Sequence, residues 1–352
     1  MTTETRTEPV TIETASADES GWRRRHLLDL DDFSADELEL VMRTTDAMKE
    51  VRSREVPRVP ALRGTTIVTL FYENSTRTRT SFELAGKVLG ADVINVSASG
   101  SSVTKGESLV DTVKTLQAVG ADVLVMRHHR SGAPYLAARE ATCSVVNAGD
   151  GLHAHPTQAL LDLYTMRSSL GDVRGKRVVI VGDILHSRVA RSNMWSLTSL
   201  GAEVVVCAPR TLLPARLGDG GDGMEGLLPP VRVETDLDRA IEGADVVMAL
   251  RMQLERMHGG GFVPGAREYS RLYQVNAARL ARANPNALVM HPGPMNEGVE
   301  ISHEVAHGLQ SRVEEQVANG VAVRMAVLWL LTRNTSRGRH ATVPSSSTRG
   351  SQ

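Results

Sequence analysis

Thr66-Ile-Val-Thr-Leu-Phe-Tyr-Glu-Asn-Ser-Thr-Arg-Thr-Arg-Thr80 decides the fold, because an apolar β-type run passes without a break into a polar helical stretch. Thr66–Tyr72 is short and rich in β-branched and aromatic side chains, which suit a buried, pleated surface. Ser75 and Thr76 follow with hydroxyls able to cap a helix. A strand feeding a helix that leads to another strand is the unit of a parallel sheet. The same transition recurs outward from this stretch. Strand-like runs fall at Asp92–Val96, Asp122–Met126 and Ser144–Asn147, each followed by a helical pattern, the last beginning near Pro156. Upstream, the capping box Ser34-Ala-Asp-Glu37 opens a helix running to about Arg54. After Gly171 and Gly175 the pattern restarts with Arg177–Val181, Glu203–Cys207, Asp245–Leu250 and Ala287–Met290, and a long helix pattern covers Gln310–Leu331. The expected fold is α/β, in two domains, each a parallel sheet flanked by helices. The expected divisions are 22–165 and 166–309, with a helix over 310–333 packing back on the first domain. Residues 1–21 and 335–352 read as disordered tails.

Length agrees: 352 residues, at about 150 per domain, suggest two buried cores. Lysine plus arginine (40) nearly balance aspartate plus glutamate (41), giving a net charge of −1 without the basic excess that nucleic-acid binding uses. No run approaches the ~18 apolar residues of a membrane span. The first residues lack an apolar core, so no secretory signal is expected and the cytosol is the expected compartment. Cys143 and Cys207 sit in strand-like surroundings and read as reduced packing residues. Lysine occurs only at 49, 87, 105, 114 and 176, so each arginine must be judged by position. Leu217–Pro230 and His258–Gly265 read as mobile loops, lid-like or simply loose surface.

In open parallel sheets ligands bind beyond the carboxyl ends of the strands. Four polar clusters stand there. In Leu70–Thr80, Ser75 or Thr76 serves as an ordinary N-cap, but Arg77 lies at the wrong end of the helix dipole. A bound anion reverses that penalty, since hydroxyls, free N–H groups and a guanidinium at a helix N-terminus suit a phosphate. Arg79 fits a structural role. Ser97–Glu107, with Ser101 and Lys105, reads by itself as a flexible surface loop. Val125-Met-Arg-His-His129 puts Arg127 directly after a buried strand, where a cation requires an anionic partner. Asn147–Gln158 puts His155 before a Pro-started helix and Gln158 in its first turn. A lone histidine in such a place is more often structural than catalytic.

Together these segments resemble, in order and spacing, the carbamoyl-phosphate half of the aspartate and ornithine carbamoyltransferase family. The resemblance covers about residues 25–333. Ser75-Thr-Arg-Thr78 is similar to the family's phosphate loop and His155-Pro-Thr-Gln158 to its carbamoyl-binding motif. In the second half, Arg177-Val-Val-Ile-Val-Gly-Asp183 begins like a dinucleotide-binding strand. Ile184-Leu-His-Ser-Arg188 lacks the remaining glycines of that fingerprint, so no pyrophosphate site follows. Arg188 opens a helix and Arg251-Met-Gln253 follows a strand; singly, either arginine fits a surface ion pair equally well. Their spacing resembles the aspartate branch, where such groups hold the two carboxylates of L-aspartate. The ornithine branch shows an acidic residue, a Ser-Met-Gly loop and a cysteine in His-Cys-Leu-Pro. This chain has His291-Pro-Gly-Pro294 instead. Two positions depart from the family's pattern: Asn74, where many relatives have Pro, and Glu297, where relatives often have Arg.

The resemblance implies attack of the L-aspartate amine on carbamoyl phosphate, giving N-carbamoyl-L-aspartate and phosphate for pyrimidine biosynthesis. It makes 22–165 the carbamoyl-phosphate-binding domain and 166–309 the aspartate-binding domain. Ser75, Thr76, Arg77, Thr78 and Arg127 are implied to hold the phosphate, while Thr78, Arg127 and His155 donate to the carbonyl oxygen. Gln158 and the backbone carbonyls of Pro292 and Gly293 are implied to bind the carbamoyl NH₂, and Arg188, Arg251 and Gln253 to hold aspartate. Ser101 and Lys105 match residues that enter from the neighbouring subunit of a trimer, Lys105 touching both substrates. No cofactor, metal, nucleic acid or membrane is expected, and a larger assembly with regulatory or dihydroorotase-type chains stays open. An ornithine-type acceptor is the nearest alternative. Two rivals stand further off: a metal-dependent amidohydrolase, suggested by His153-Ala-His155 with His128-His129, and a subunit that only binds or assembles.

Overall fold

The computed structural model describes residues 21–97, 107–215, 217, 228–252 and 265–339. Ser101, Lys105 and Gln253 lie outside the described residues, as do most of the two loops read as mobile. The first half runs α1 (Ala35–Ser53), β1 (Thr66–Phe71), α2 (Thr76–Val88), β2 (Asp92–Ser97), α3 (Leu109–Ala118), β3 (Val123–His128), α4 (Ala133–Glu140), β4 (Ser144–Asp150) and α5 (Pro156–Leu170). The second half runs β5 (Arg177–Val181), α6 (Arg188–Ser199), β6 (Glu203–Cys207), β7 (Arg232–Glu234), α7 (Leu237–Ile241), β8 (Val246–Ala249), α8 (Ala266–Tyr273), α9 (Ala277–Leu280), β9 (Leu288–Met290), α10 (His303–Ala306) and α11 (Val313–Arg339). The expected capping box opens α1: the Ser34 hydroxyl accepts from the Glu37 N–H, and the Glu37 carboxylate accepts from the Ser34 N–H at 3.0 Å.

Every strand pairing is parallel, in the orders β2-β1-β3-β4 and β7-β6-β5-β8-β9. In each sheet the first strand lies inside, and the chain builds outward on one side before crossing to the other. The crossing leaves a crevice at the carboxyl ends of β1 and β3 in one sheet and of β5 and β8 in the other. Such reversals are where parallel sheets bind ligands.

The pleat separates two faces of the first sheet. Ile67, Phe71, Val123 and Val125 join the main core, while Val68, Leu70, Leu124 and Met126 pack on the other side with Val113 and Ala137. The main core continues through Leu160 and Leu163 of α5 and Val323 and Leu328 of α11 into Val178–Val181 of β5. α5 packs against both α6 and α11, and α11 also packs on α1 and α2. The long helix thus returns from the second half to the first. It begins three residues later than the apolar pattern suggests and continues through residues 335–339, which composition alone assigns to a tail.

The strands reach further than their apolar runs. β3 extends to His128, so Arg127 lies within the strand, paired with Phe71 of β1, rather than directly after it. β4 likewise continues through Gly149 to Asp150. Both cysteines are free and buried, and burial pushes the Cys207 thiol up to about 12.

Candidate active site

The crevices of the two sheets face one cavity of about 640 Å³. Its wall takes Glu73 and Ser75–Thr78 from the β1–α2 junction, Arg127 from β3, and His155 and Gln158 from the start of α5. From the second half come Ser187 and Arg188 at the start of α6, Leu250 and Arg251 after β8, and His291–Pro294 after β9. The predicted residues Ser75, Thr76, Arg77, Thr78, Arg127, His155, Gln158, Arg188, Arg251, Pro292 and Gly293 are therefore brought together. Ser101, Lys105 and Gln253 lie outside the described residues, so their positions do not enter this geometry.

Ser75 is both cap and wall. Its hydroxyl accepts from the Thr78 N–H at 3.4 Å, a long bond, and Arg77 stands in the first turn with no acidic neighbour in that turn. Burial, with Arg251 nearby, depresses the Arg77 pKa below its ordinary value. An anion bound between them favours both charges. Gly293, at φ +63°, lets the loop after β9 approach Arg77; a Cβ there would stand 3.0 Å from Nη1.

Arg188 is 4% exposed and spans the two halves. Its Nη2 donates to Glu73 Oε2 at 2.8 Å and its Nη1 to the Gly151 carbonyl at 3.3 Å. Gly149, at φ +114°, makes room for it, because a Cβ there would lie 2.9 Å from the guanidinium carbon. The same Glu73 oxygen lies 3.2 Å from Arg127 Nε. Glu73 is thus the carboxylate between a cation of each half. It was not among the predicted residues: an acid two residues past a buried strand and two before the capping serine carries no local mark of partners at 127 and 188.

The floor is a buried polar network centred on Asp162, fully buried in α5. Gln158 Nε2 and Gln316 Nε2 donate to Asp162 Oδ1 at 2.9 and 2.7 Å, and Asn193 Nδ2 donates to Oδ2 at 2.8 Å. With its NH₂ engaged, Gln158 has its carbonyl oxygen available to the cavity. Burial raises the Asp162 pKa to about 6, against the three donors and the charge of buried Arg324. Gln316 Oε1 accepts from the His291 N–H at 3.0 Å. His291 Nδ1 accepts from the Gly293 N–H at 2.8 Å, so Nε2 carries the proton and faces Glu300 Oε1 at 3.3 Å. His155 is buried at the N-cap of α5, its backbone N–H donating to Ser192 Oγ of α6 at 2.9 Å.

His153 and His155 part company. His153 lies 3.3 Å from Asp29 and 3.2 Å from Asp150, and these carboxylates raise its pKa, while His155 lines the cavity. Among the described residues neither belongs to a cluster with metal-ligand spacing. No helix among them is long and apolar enough to cross a membrane.

This cavity can hold two anionic reactants side by side, with hydrogen-bond donors between them. Comparison with known proteins gives the arrangement a lineage. The description "Aspartate/ornithine carbamoyltransferase, carbamoyl-P binding domain" matches residues 25–168, and "Aspartate/ornithine carbamoyltransferase, Asp/Orn binding domain" matches residues 174–331. The chain belongs to the aspartate/ornithine carbamoyltransferase family. It is 60% identical over 311 residues to a Roseiflexus protein named aspartate carbamoyltransferase catalytic subunit, covering 88% of this chain and 96% of that one. A Chloroflexus aggregans protein of the same name is 60% identical over 308 residues, covering 87% and 98%. The fold is similar to aspartate transcarbamoylase from Trypanosoma cruzi, crystallised with carbamoyl aspartate and phosphate (TM-score 0.78, 30% identity, 89% and 97% covered). It is also similar to ornithine carbamoyltransferase from Pyrococcus furiosus (TM-score 0.76, 29% identity, 88% and 97% covered). This two-sheet α/β fold is therefore that of carbamoyltransferases, a family of transferases.

Proposed function

We propose that the protein transfers the carbamoyl group of carbamoyl phosphate to the amine of L-aspartate, releasing phosphate and N-carbamoyl-L-aspartate for pyrimidine biosynthesis. The observation that carries this reading is the convergence on one cavity of Arg77 and Arg127 from the first half with Arg188 and Arg251 from the second. Four guanidinium groups suit two anionic reactants. The first half, about 22–165, takes carbamoyl phosphate, and the second, about 166–309, takes aspartate.

Phosphate sits at the α2 N-terminus against Ser75, Thr76, Arg77, Thr78 and Arg127, where the helix dipole and guanidinium groups favour negative charge. Thr78, Arg127 and His155 donate to the carbonyl oxygen and stabilise the charge that develops as the amine attacks. Gln158, held by Asp162, accepts from the carbamoyl NH₂ together with the carbonyls of Pro292 and Gly293. Arg188, Arg251 and Gln253 grip the aspartate carboxylates. The new C–N bond forms as the C–O bond to phosphate breaks, and the departing phosphate takes the amine proton. Ser101 and Lys105 complete the site from a neighbouring chain of a cytosolic homotrimer.

Purified protein given carbamoyl phosphate is expected to carbamoylate L-aspartate and leave L-ornithine essentially untouched, as read by ureido-product formation. Arg251→Ala should impair aspartate use far more than carbamoyl-phosphate binding, by roughly 2–5 kcal/mol, the scale for truncating one partner of a charge pair that the bound substrate shields from water. Equal turnover of ornithine would overturn the acceptor assignment.

A further inference from the structure

Away from the cavity, Glu297, His303 and His307 form a cluster that the carbamoyl-transfer reading does not use. His303 opens α10 and His307 follows its last residue, so the two imidazoles lie four residues apart on one helical face, ring centroids 4.6 Å apart. Both converge on one carboxylate. His303 Nδ1 lies 2.6 Å from Glu297 Oε2, and His307 Nε2 lies 3.1 Å from Oε1. One ligand atom from each residue falls within 4.8 Å of the others.

We propose that Glu297, His303 and His307 form a surface site for zinc or a similar borderline divalent cation. Two imidazole nitrogens and a carboxylate are the donor set such ions prefer, whereas calcium and magnesium ask for oxygen alone. Tetrahedral zinc, with bonds of about 2.0–2.2 Å, places its ligand atoms about 3.3 Å apart. The observed separations are close enough that small side-chain rotations complete the sphere. Those rotations are available, since the His303 and His307 side chains are 80% and 49% exposed. The backbone that carries the carboxylate is held in place. The Gly298 N–H donates to the Ile301 carbonyl at 2.8 Å, and the Gly298 carbonyl accepts from Ser270 Oγ at 3.0 Å and Gln274 Nε2 at 2.8 Å. Little backbone ordering is left there for the ion to impose, so the cost of binding is confined to the side chains. Three protein ligands leave a fourth position for water.

The test uses the full chain in its native assembly, stripped with a chelator and titrated with zinc chloride by calorimetry. Wild type is expected to take up one more zinc per chain than the double variant His303→Ala/His307→Ala. Glu297→Gln, which keeps size and removes charge, should weaken that same site at least several-fold. The three residues are exposed, and matched circular dichroism and oligomer size confirm that the variants fold. Equal zinc uptake by wild type and the double variant overturns the site. Undiminished affinity in Glu297→Gln overturns the three-ligand assignment.

Discussion

Placing alanine at Gly293 or Gly149 separates the two halves of the site at single-residue resolution. Both glycines have φ in the left-handed region, so a side chain costs about 1–2 kcal/mol of stability at either. The added Cβ meets a different guanidinium in each case: Arg77 beside Gly293 and Arg188 beside Gly149. Each guanidinium must then shift, Arg188 by giving up its bonds to Glu73 and the Gly151 carbonyl, and leaves the position from which it holds an anion. Gly293→Ala should therefore weaken carbamoyl-phosphate binding, and Gly149→Ala aspartate use, each by roughly tenfold to 100-fold, the scale of small misplacements. Separate saturation curves for the two substrates read this out, and equal effects of both variants on both substrates would refute the division. His155→Ala is expected to lower kcat by about 10²–10³, the scale for one oxyanion donor, with carbamoyl-phosphate affinity largely kept. An unchanged kcat returns His155 to a structural role. At this scale the cations were legible in the sequence because each violates a local rule: Arg77 opposes its helix dipole, and Arg127 interrupts a buried run. Glu73 was not, since an acid at the end of a strand is unremarkable until its partners, at 127 and 188, are folded beside it.

α5 is the element on which both halves turn, and Asp162 is its titratable centre. The carboxyl has a pKa near 3.8 when unfolded and about 6 when folded, so between these values the folded protein holds more protons. Its contribution to stability is complete below about pH 4 and is lost as pH rises through about 6, by an amount on the order of 3 kcal/mol. Denaturant titrations of wild type and Asp162→Asn across pH 4–7 should show the stability difference moving against wild type as pH rises. A difference that is flat or moves the other way rejects this assignment. Asparagine presents one acceptor where the carboxylate presents two, leaving one of the three donors without its partner. That donor is Asn193 Nδ2 of α6, which faces the second oxygen while Gln158 and Gln316 share the first; the joint between α5 and α6, the helix that carries Arg188, is loosened, and kcat should fall about tenfold or more. The sequence pattern marked α5 by its opening proline but not this role, because Gln316 is 154 residues away along the chain. Long apolar strands such as β1 and β5 were legible for the opposite reason: their pattern is local and buried on both sides. β7, only Arg232–Glu234 and largely polar, carries no such pattern; it exists because the edge of β6 offers it hydrogen bonds.

At the scale of the molecule, the repeated strand-helix rhythm made two parallel sheets legible, whereas their facing crevices arise only when α5, α6 and α11 pack together. The proposed trimer adds a further level, because Ser101 and Lys105 are assigned to the site of a neighbour. Lys105→Ala and His155→Ala should each be nearly inactive as pure oligomers. If loop and pocket come from different chains, dissociating and reassembling the two mutants together creates some sites in which an unmutated Lys105 meets an unmutated His155. Of the three sites in a mixed trimer, one then has every donor that the mechanism requires, one carries both lesions and one carries a single lesion. Activity should then rise well above that of either parent, in proportion to the mixed trimers resolved by native mass measurement. A site contained within one chain would always carry its own mutation, whatever it is mixed with. Verified mixed trimers without recovered activity would therefore reject the shared site and return Lys105 to its own chain or to the surface.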